Sequence, residues 1–317
     1  MSEVTVVIPN YNGQKYLIPC LKALYKSATV ELDVIVVDNG SEDGSVADAK
    51  GQFPQATYRM LNKNYGFCRA VNEGIRAADT EYVLLLNNDT EVREGFVERL
   101  LHTIKKNRKI FSVEAKMLQY GNHSLIDSAG TYYNAFGWAF ARGKDASARK
   151  YTARCRTFAA CAGAAIYRKE VFERIGYFDE KHFAYLEDID IGYRAGIYGY
   201  INLYEPKAEV IHVGSAASGS RYNEFKTRYS ARNNIYLIYK NMPAWQIVLN
   251  MPFLMAGFLA KALFFWKKGL GMVYVKSIRD GFALCGKSGK VAYDRKNLKN
   301  YLRIQAELWI NLVRRFL

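Results

Sequence analysis

Four apolar, β-branched runs lie within residues 4–92, and each stops abruptly on polar side chains. "VTVVIPNYN" (4–12) ends on Asn10 and Asn12, and "ELDVIVVDNGSEDGS" (31–45) ends on Asp38 and Asn39, with Ser41 placed to cap a helix. A short run after Ala56 ends on Asn62 and Asn64, and "EYVLLLNNDTEV" (81–92) ends on Asn87, Asn88 and Asp89. Helical periodicity separates them: Leu17, Leu21 and Leu24 recur at spacings of four and three, and 67–78 and 94–107 read as helices. Strands alternating with helices predict an α/β fold, with a parallel sheet covered by helices on both faces. Such sheets bind ligands beyond the carboxyl ends of their strands. Four polar clusters in successive register at those ends predict one shared site.

Beyond 110 the pattern is mixed. Residues 156–199 hold a small-residue strand, a helix from about Lys169 and a second helix opening at Glu187–Asp188, and "INLYEPKAEVIHVGS" reads as two short strands ending at His212. The chain is 50% hydrophobic and 24% charged, a globular composition without low-complexity linkers or repeats. Five scattered cysteines without a CxxC pair suit a reducing compartment, and the opening "MSE" leads directly into a strand, so no leader peptide is expected. Neither GxGxxG after the first strand nor GxxxxGK[ST] occurs, which leaves dinucleotide and P-loop chemistry unsupported.

The charge changes this picture. Of the net +15, residues 221–317 carry +14, from 18 Lys/Arg against 4 Asp/Glu, so a nearly neutral body precedes a basic tail. The tail also holds the most apolar stretch, 243–281, which Gln246, Asn250 and Lys261 interrupt. Aromatic and aliphatic residues beside Lys267, Lys268, Lys276 and Arg279 suit a helix lying on an anionic membrane surface. A helical hairpin packed on protein, or a single span, are the other readings.

Three places carry candidate chemistry. Asp89, alone, reads as a turn residue; beside Asn88 it offers hard oxygens suited to Mg²⁺ or Mn²⁺. "YLEDID" (185–190) puts three acids in four positions, more than a helix start needs, and Asp188 on an exposed first turn could act as a general base. His212, after a strand, is either a structural residue or an imidazole ligand or phosphate contact.

The ordered series "VIPNYN", "VVDNGSEDGS", "NYGFCRAVNEG", "LLLNNDTEV", "GYFDEKHFAYLEDIDIGYR" and "IHVGS" resembles the family-2 inverting glycosyltransferases of GT-A fold, most closely rhamnosyltransferase-like bacterial members that build cell-surface polysaccharide. The resemblance implies a catalytic domain over 1–240, with a nucleotide-sugar half to about 110 and an acceptor half from 111, followed by a helical, membrane-associating 241–317. It implies that Pro9, Tyr11, Asp38 and Asn39 hold the nucleotide, that Asn64, Gly66 and Asn72 line the nucleotide-sugar pocket, and that "NND" stands in the place of a DxD motif. Because Asn87 replaces the first acid, Asp89, with Asn88 beside it, would carry the Mn²⁺ or Mg²⁺ contact, helped by His212. Asp188 would be the catalytic base, Glu187 would lie near the acceptor, and Arg232 would contact the diphosphate. The implied donor is dTDP-rhamnose, with UDP-hexose second, and the acceptor a glycan or lipid-linked sugar. The expected location is cytoplasmic, on the inner face of the membrane; homo-oligomer formation is left open. A nucleic-acid-binding reading of the tail lacks any recognisable motif, and an inactive scaffold is disfavoured by the retained Asp38, Asp89 and Asp188.

Overall fold

The computed structural model describes residues 2–214, 222–286 and 289–316. The first half alternates as expected: β1 (Val4–Asn10), α1 (Leu17–Ser27), β2 (Leu32–Asp38), α2 (Ser45–Gln52), β3 (Thr57–Met60), α3 (Phe67–Ala77), β4 (Tyr82–Leu86), then β5 (Thr90–Val92) and α4 (Phe96–Lys105). The second half runs β6 (Ile110–Gln119), β7 (Asn122–Ser128), β8 (Thr131–Tyr133), β9 (Ala139–Ala141), β10 (Cys155–Thr157), β11 (Ala164–Arg168), α5 (Lys169–Ile175), α6 (Glu187–Ile197) and β12 (Ile201–His212). Four helices close the chain: α7 (Glu224–Asn241), α8 (Ala244–Lys267), α9 (Gly271–Cys285) and α10 (Leu298–Arg314).

The main sheet has the order β10-β12-β6-β11-β4-β1-β2-β3, with β5 on β12 and β7 on β6. β3, β2, β1 and β4 are mutually parallel, β11 runs antiparallel between β4 and β6, and β12 is parallel to β6. Alternate residues of β1 face opposite layers. Val4, Val6 and Ile8 pack with Leu17, Leu21 and Leu24 of α1 and with α4, while Val7 packs with Val71 and Ile75 of α3 and with α5 and α6. Each such buried side chain contributes roughly 1.5–3 kcal/mol. Helix α3 lies so close to the sheet that a Cβ on Gly74 would sit 2.2 Å from Val7 Cγ1.

Two expectations change. The two short strands before His212 are one strand, β12, irregular between Glu205 and Glu209 where Pro206 withholds an amide. Ser41 caps no helix: α2 starts after Gly44, and Ser41 instead bonds Asp38. The glycine-rich stretch after Gly214 lies outside the described residues.

The interruptions of the apolar tail also find their reason. Gln246 accepts from Tyr193 Oη (2.7 Å) and donates to the Tyr301 carbonyl (3.1 Å), and Asn250 exchanges two 2.8 Å hydrogen bonds with Gln305. Gln246 and Asn250 of α8 therefore face α6 and α10, while Lys261 lies over the Trp138 ring. The apolar residues of α8 face outward: Val248, Met251, Met255, Leu259, Leu263 and Trp266, spaced by three or four, are all exposed. By length and composition α8 is also sufficient to cross a membrane.

Candidate active site

Parallel register carries the polar clusters to one edge. Asn10 pairs with Asp38 across β1–β2, and Pro9 sits beyond the last residues that β1 pairs with β4, where its missing amide leaves that ladder intact. The Asn10 amide donates to Asp38 Oδ1 (2.9 Å) and Ser45 Oγ (2.9 Å), and its oxygen accepts from Asn88 Nδ2 (2.7 Å). Asp38 also accepts from the backbone N–H (2.9 Å) and hydroxyl (2.6 Å) of Ser41. Asp38 is buried and acts as the hub of the loops around the cleft. Asn39 donates to Asn64 Oδ1 (2.9 Å) and the Gly66 carbonyl (3.1 Å), and Asn64 accepts the Gly66 N–H (2.9 Å). Gly66 has φ +89°, and a Cβ there would lie 2.6 Å from Phe183, so the backbones can approach only at glycine. Tyr11 and Tyr65 are half-exposed at this rim.

β5 pairs with the end of β12, Thr90 opposite His212, and so brings Asp89 to the imidazole. His212 Nε2 lies 3.4 Å from Asp89 Oδ1, and Nδ1 lies 2.8 Å from Asp127 Oδ2. Asp127 also pairs with Lys144. Burial opposes charging of His212, but the hydrogen bonds to Asp127 and Asp89 outweigh it and hold its pKa up to about 9. A carboxylate on Nδ1 fixes the ring with Nε2 facing the second carboxylate, and a cation there would take the place of the Nε2 proton. Among the described residues no set of three His, Cys, Asp or Glu side chains could hold a metal. A hard divalent cation bound by one carboxylate and one imidazole completes its shell from water and phosphate oxygens, so the residues fit Mn²⁺ or Mg²⁺.

The acid pair arrives from the other side. Asp188 Oδ1 accepts the Ala162 N–H (3.0 Å), while the next residue, Gly163, accepts the Asn87 N–H at its carbonyl (2.9 Å). One dipeptide thus joins the helix of Asp188 to the loop of Asp89. Burial, followed by the neighbouring Glu187, raises the Asp188 pKa well above the carboxylate range, and burial raises Glu187 too. Glu187 Oε2 is buried without a hydrogen-bond partner. Of the three acids in "EDID", Asp190 is structural: it is fully buried on Arg194 (2.7 Å) and Lys240 (3.0 Å).

The backbone before the pair is strained, with Phe183, Tyr185 and Leu186 at φ 63°, 71° and 66°. Left-handed non-glycine residues cost roughly 1–2 kcal/mol each. The "ARNN" stretch of α7 holds them in place. Asn233 Nδ2 donates to the carbonyls of His182 (2.9 Å), Ala184 (2.8 Å) and Tyr185 (2.8 Å), and Arg232 Nη2 donates to those of Lys181 (2.7 Å) and His182 (2.9 Å). Arg232, expected on the diphosphate, is thus turned to backbone carbonyls. Asn72, expected to line the nucleotide-sugar pocket, likewise bonds a loop. It donates to the Phe178 carbonyl (2.8 Å) and Glu180 Oε1 (3.1 Å) and accepts the Phe178 N–H (3.1 Å). Asp127 and Ser45 are the candidate-site residues that sequence reasoning did not select; an Asp isolated in "LIDSAG" carries no pattern of its own.

Comparison with known proteins bears on the family and the fold. The model of the family described as glycosyl transferase family 2 matches residues 5–176. The N-acetylglucosaminyl-diphospho-decaprenol L-rhamnosyltransferase of Mycobacterium tuberculosis is 23% identical over 273 residues, covering 77% of this chain and 87% of that protein. The low-salt glycan biosynthesis hexosyltransferase Agl10 of Haloferax volcanii is 25% identical, covering 84% and 87%. Among solved structures, GalNAc-T7 with UDP, GalNAc and Mn²⁺ aligns with a TM-score of 0.61 at 16% identity, over 76% of this chain and 48% of that one. S. aureus TarS 1-349 with UDP aligns at 0.53 and 16% identity, over 80% and 70%.

Proposed function

Since this chain belongs to glycosyl transferase family 2, with a helical C-terminal region added to a GT-A fold, we propose that it is an inverting, metal-dependent transferase. It would move a sugar from a nucleoside-diphosphate donor to a glycan or lipid-linked acceptor in surface-polysaccharide synthesis. dTDP-rhamnose is the favoured donor, as the similarity to a rhamnosyltransferase suggests, and a UDP-hexose the second. The observation that carries the reading is the Ala162–Gly163 dipeptide, bonded on one side to Asp188 and on the other to the loop of Asp89.

In this reading Pro9, Tyr11, Asp38, Asn39, Asn64 and Gly66 shape the nucleotide end of the cleft, with Asp38 acting through Asn10 and Ser41. Asp89 and His212 would hold Mn²⁺ or Mg²⁺, with Asn88 beside them; the cation would supply charge stabilisation of the departing diphosphate. Asp188 takes the proton from an acceptor hydroxyl as that oxygen attacks the anomeric carbon. Its burial favours the protonated form, which makes the carboxylate a strong base once the proton has left. Glu187, with one oxygen unpartnered, receives a second acceptor hydroxyl. A thermal-shift screen of UDP- and dTDP-sugars with Mn²⁺ tests the class. One nucleotide sugar should raise Tm, and oligonucleotides should not; the reverse pattern would move the protein to nucleic-acid binding.

Residues 241–317 then form the part that faces a membrane. The outward stripe of α8 lies beside exposed Lys267, Lys268, Lys276 and Arg279. Basic residues near an anionic surface contribute about 1 kcal/mol each. The enzyme would sit on the cytoplasmic face of the cell membrane, where a lipid-linked acceptor is reached. In flotation with phosphatidylglycerol vesicles the protein should float, and Met255→Glu with Leu259→Glu should lower the bound fraction several-fold without changing donor binding. Equal flotation of the two proteins would remove the membrane assignment.

A further inference from the structure

A cavity of about 660 Å³ opens between α10 and the segment that carries β8, β9 and β10. Its charged lining is lopsided: Arg142, Lys144, Arg156, Arg314 and Arg315 face one acid, Glu307. Lys144 pairs with Asp127. Among the described residues none of the four arginines forms an ion pair with a carboxylate. Burial raises the Glu307 carboxyl while Arg303, Arg156 and Arg314 act to lower it, so this one acid in the lining is shared among several arginines.

The arginines are held by rings. Arg142 lies 4.8 Å from the Tyr151 ring centre, Arg314 5.4 Å from that of Tyr132, and Arg315 5.6 Å from that of Phe140. Stacking fixes a guanidinium plane; Arg142 Nη1 is given to the Ala129 carbonyl and Cys155 Sγ, and Arg314 Nη1 to Asn311 Oδ1, while the remaining N–H groups match phosphate oxygens. Like charges that outnumber their counter-ions repel one another, so the lining suits an anion. The volume lies within the range of about 300–1,000 Å³ typical of ligand sites.

The position ties the cavity to the reaction. Lys144 reaches Asp127, whose other oxygen holds His212. β10, which contributes Arg156, leads into the turn whose Ala162 N–H is bound by Asp188. The cavity is therefore linked through Asp127 to His212 and through β10 to the turn that Asp188 binds.

We propose that this cavity is an oxyanion site that takes the phosphate or diphosphate group of the acceptor. The assignment to an acceptor rests on the transferase reading; the anion site itself does not. Inorganic diphosphate is titrated by calorimetry into the full chain in metal-free buffer, where a donor-side cation cannot contribute. Saturable one-to-one binding is expected, weakened by at least about tenfold in Arg156→Gln with Arg314→Gln, since charge-assisted contacts are the strong ones. Both side chains are exposed, and an unchanged melting temperature verifies the fold of the variant. Asp89→Asn should bind diphosphate as the parent does. The proposal is overturned if the double variant binds as tightly as the parent, if the parent does not bind, or if only Asp89→Asn weakens binding. It is also overturned if soluble diphosphate fails to bind while the double variant loses phosphatidylglycerol vesicles, because the arginines would then serve bilayer headgroups. Failure of any of these tests leaves the donor screen intact, so the two readings fall separately.

Discussion

Replacing Asp188 by Asn is expected to lower sugar transfer by roughly 10²–10⁴-fold, the contribution of a positioned general base. The amide keeps the shape and still offers an oxygen to the Ala162 N–H, which Asp188 binds at 3.0 Å. The turn next to the Asp89 loop is therefore preserved, and donor binding should stay close to that of the parent. What is lost is the ability to accept a proton. Single-turnover transfer with saturating donor separates the two effects, because chemistry is then read apart from affinity. The pH profile supplies a second readout. Burial and Glu187 raise the Asp188 carboxyl above its ordinary range, so activity should fall on acidification at a pH above that of an exposed carboxylate. That acidic limb should disappear from the residual activity of Asp188→Asn. Near-parental turnover in the variant would remove the proposed base, whatever the donor proves to be.

The first half of the sheet was legible because its physics is local. A buried parallel strand must be apolar along its whole length, so the stop at Asn10, Asp38 or Asn87 marks the sheet edge without any tertiary information. Beyond residue 110 the strand at 164–168 and the helices opening at Lys169 and Glu187 were legible too, but the short strands were not, because long-range pairing decides them. β5 has three residues and is a strand only because β12 lies beside it. Asp127 is functional in appearance only after β7 turns it toward His212. Arg232 and Asn72 carry residue types that suit a ligand, but strained or irregular loops compete for the same donors, and in each case the loop has them. The polar interruptions of α8 argued against a spanning helix in the sequence. In the structure Gln246 and Asn250 are buried contacts to α10, and that orientation turns the opposite, apolar face outward.

Asp89→Asn should have the second large effect, and it tests the division of labour between the two sides of the cleft. His212 and Asp89 face one another at 3.4 Å, and the imidazole is fixed from behind by Asp127 at 2.8 Å. In the proposed metal site, removing the Asp89 charge takes away the anionic ligand, and Asn87 offers no second acid. Mn²⁺ binding followed by electron paramagnetic resonance in the presence of nucleoside diphosphate should weaken by at least about tenfold, because ligand changes at such sites cost on the order of 10–100-fold. Transfer should fall by roughly 10²–10³-fold at fixed cation, the scale on which loss of one charge-stabilising group acts. Raised Mn²⁺ should restore part of that loss, whereas it should restore nothing in Asp188→Asn, whose defect lies in proton transfer. If Asp89→Asn kept both its Mn²⁺ affinity and its rate, the cation would have to be held elsewhere, and the Asp89–His212–Asp127 arrangement would be a structural ion pair that joins β7 to the end of β12.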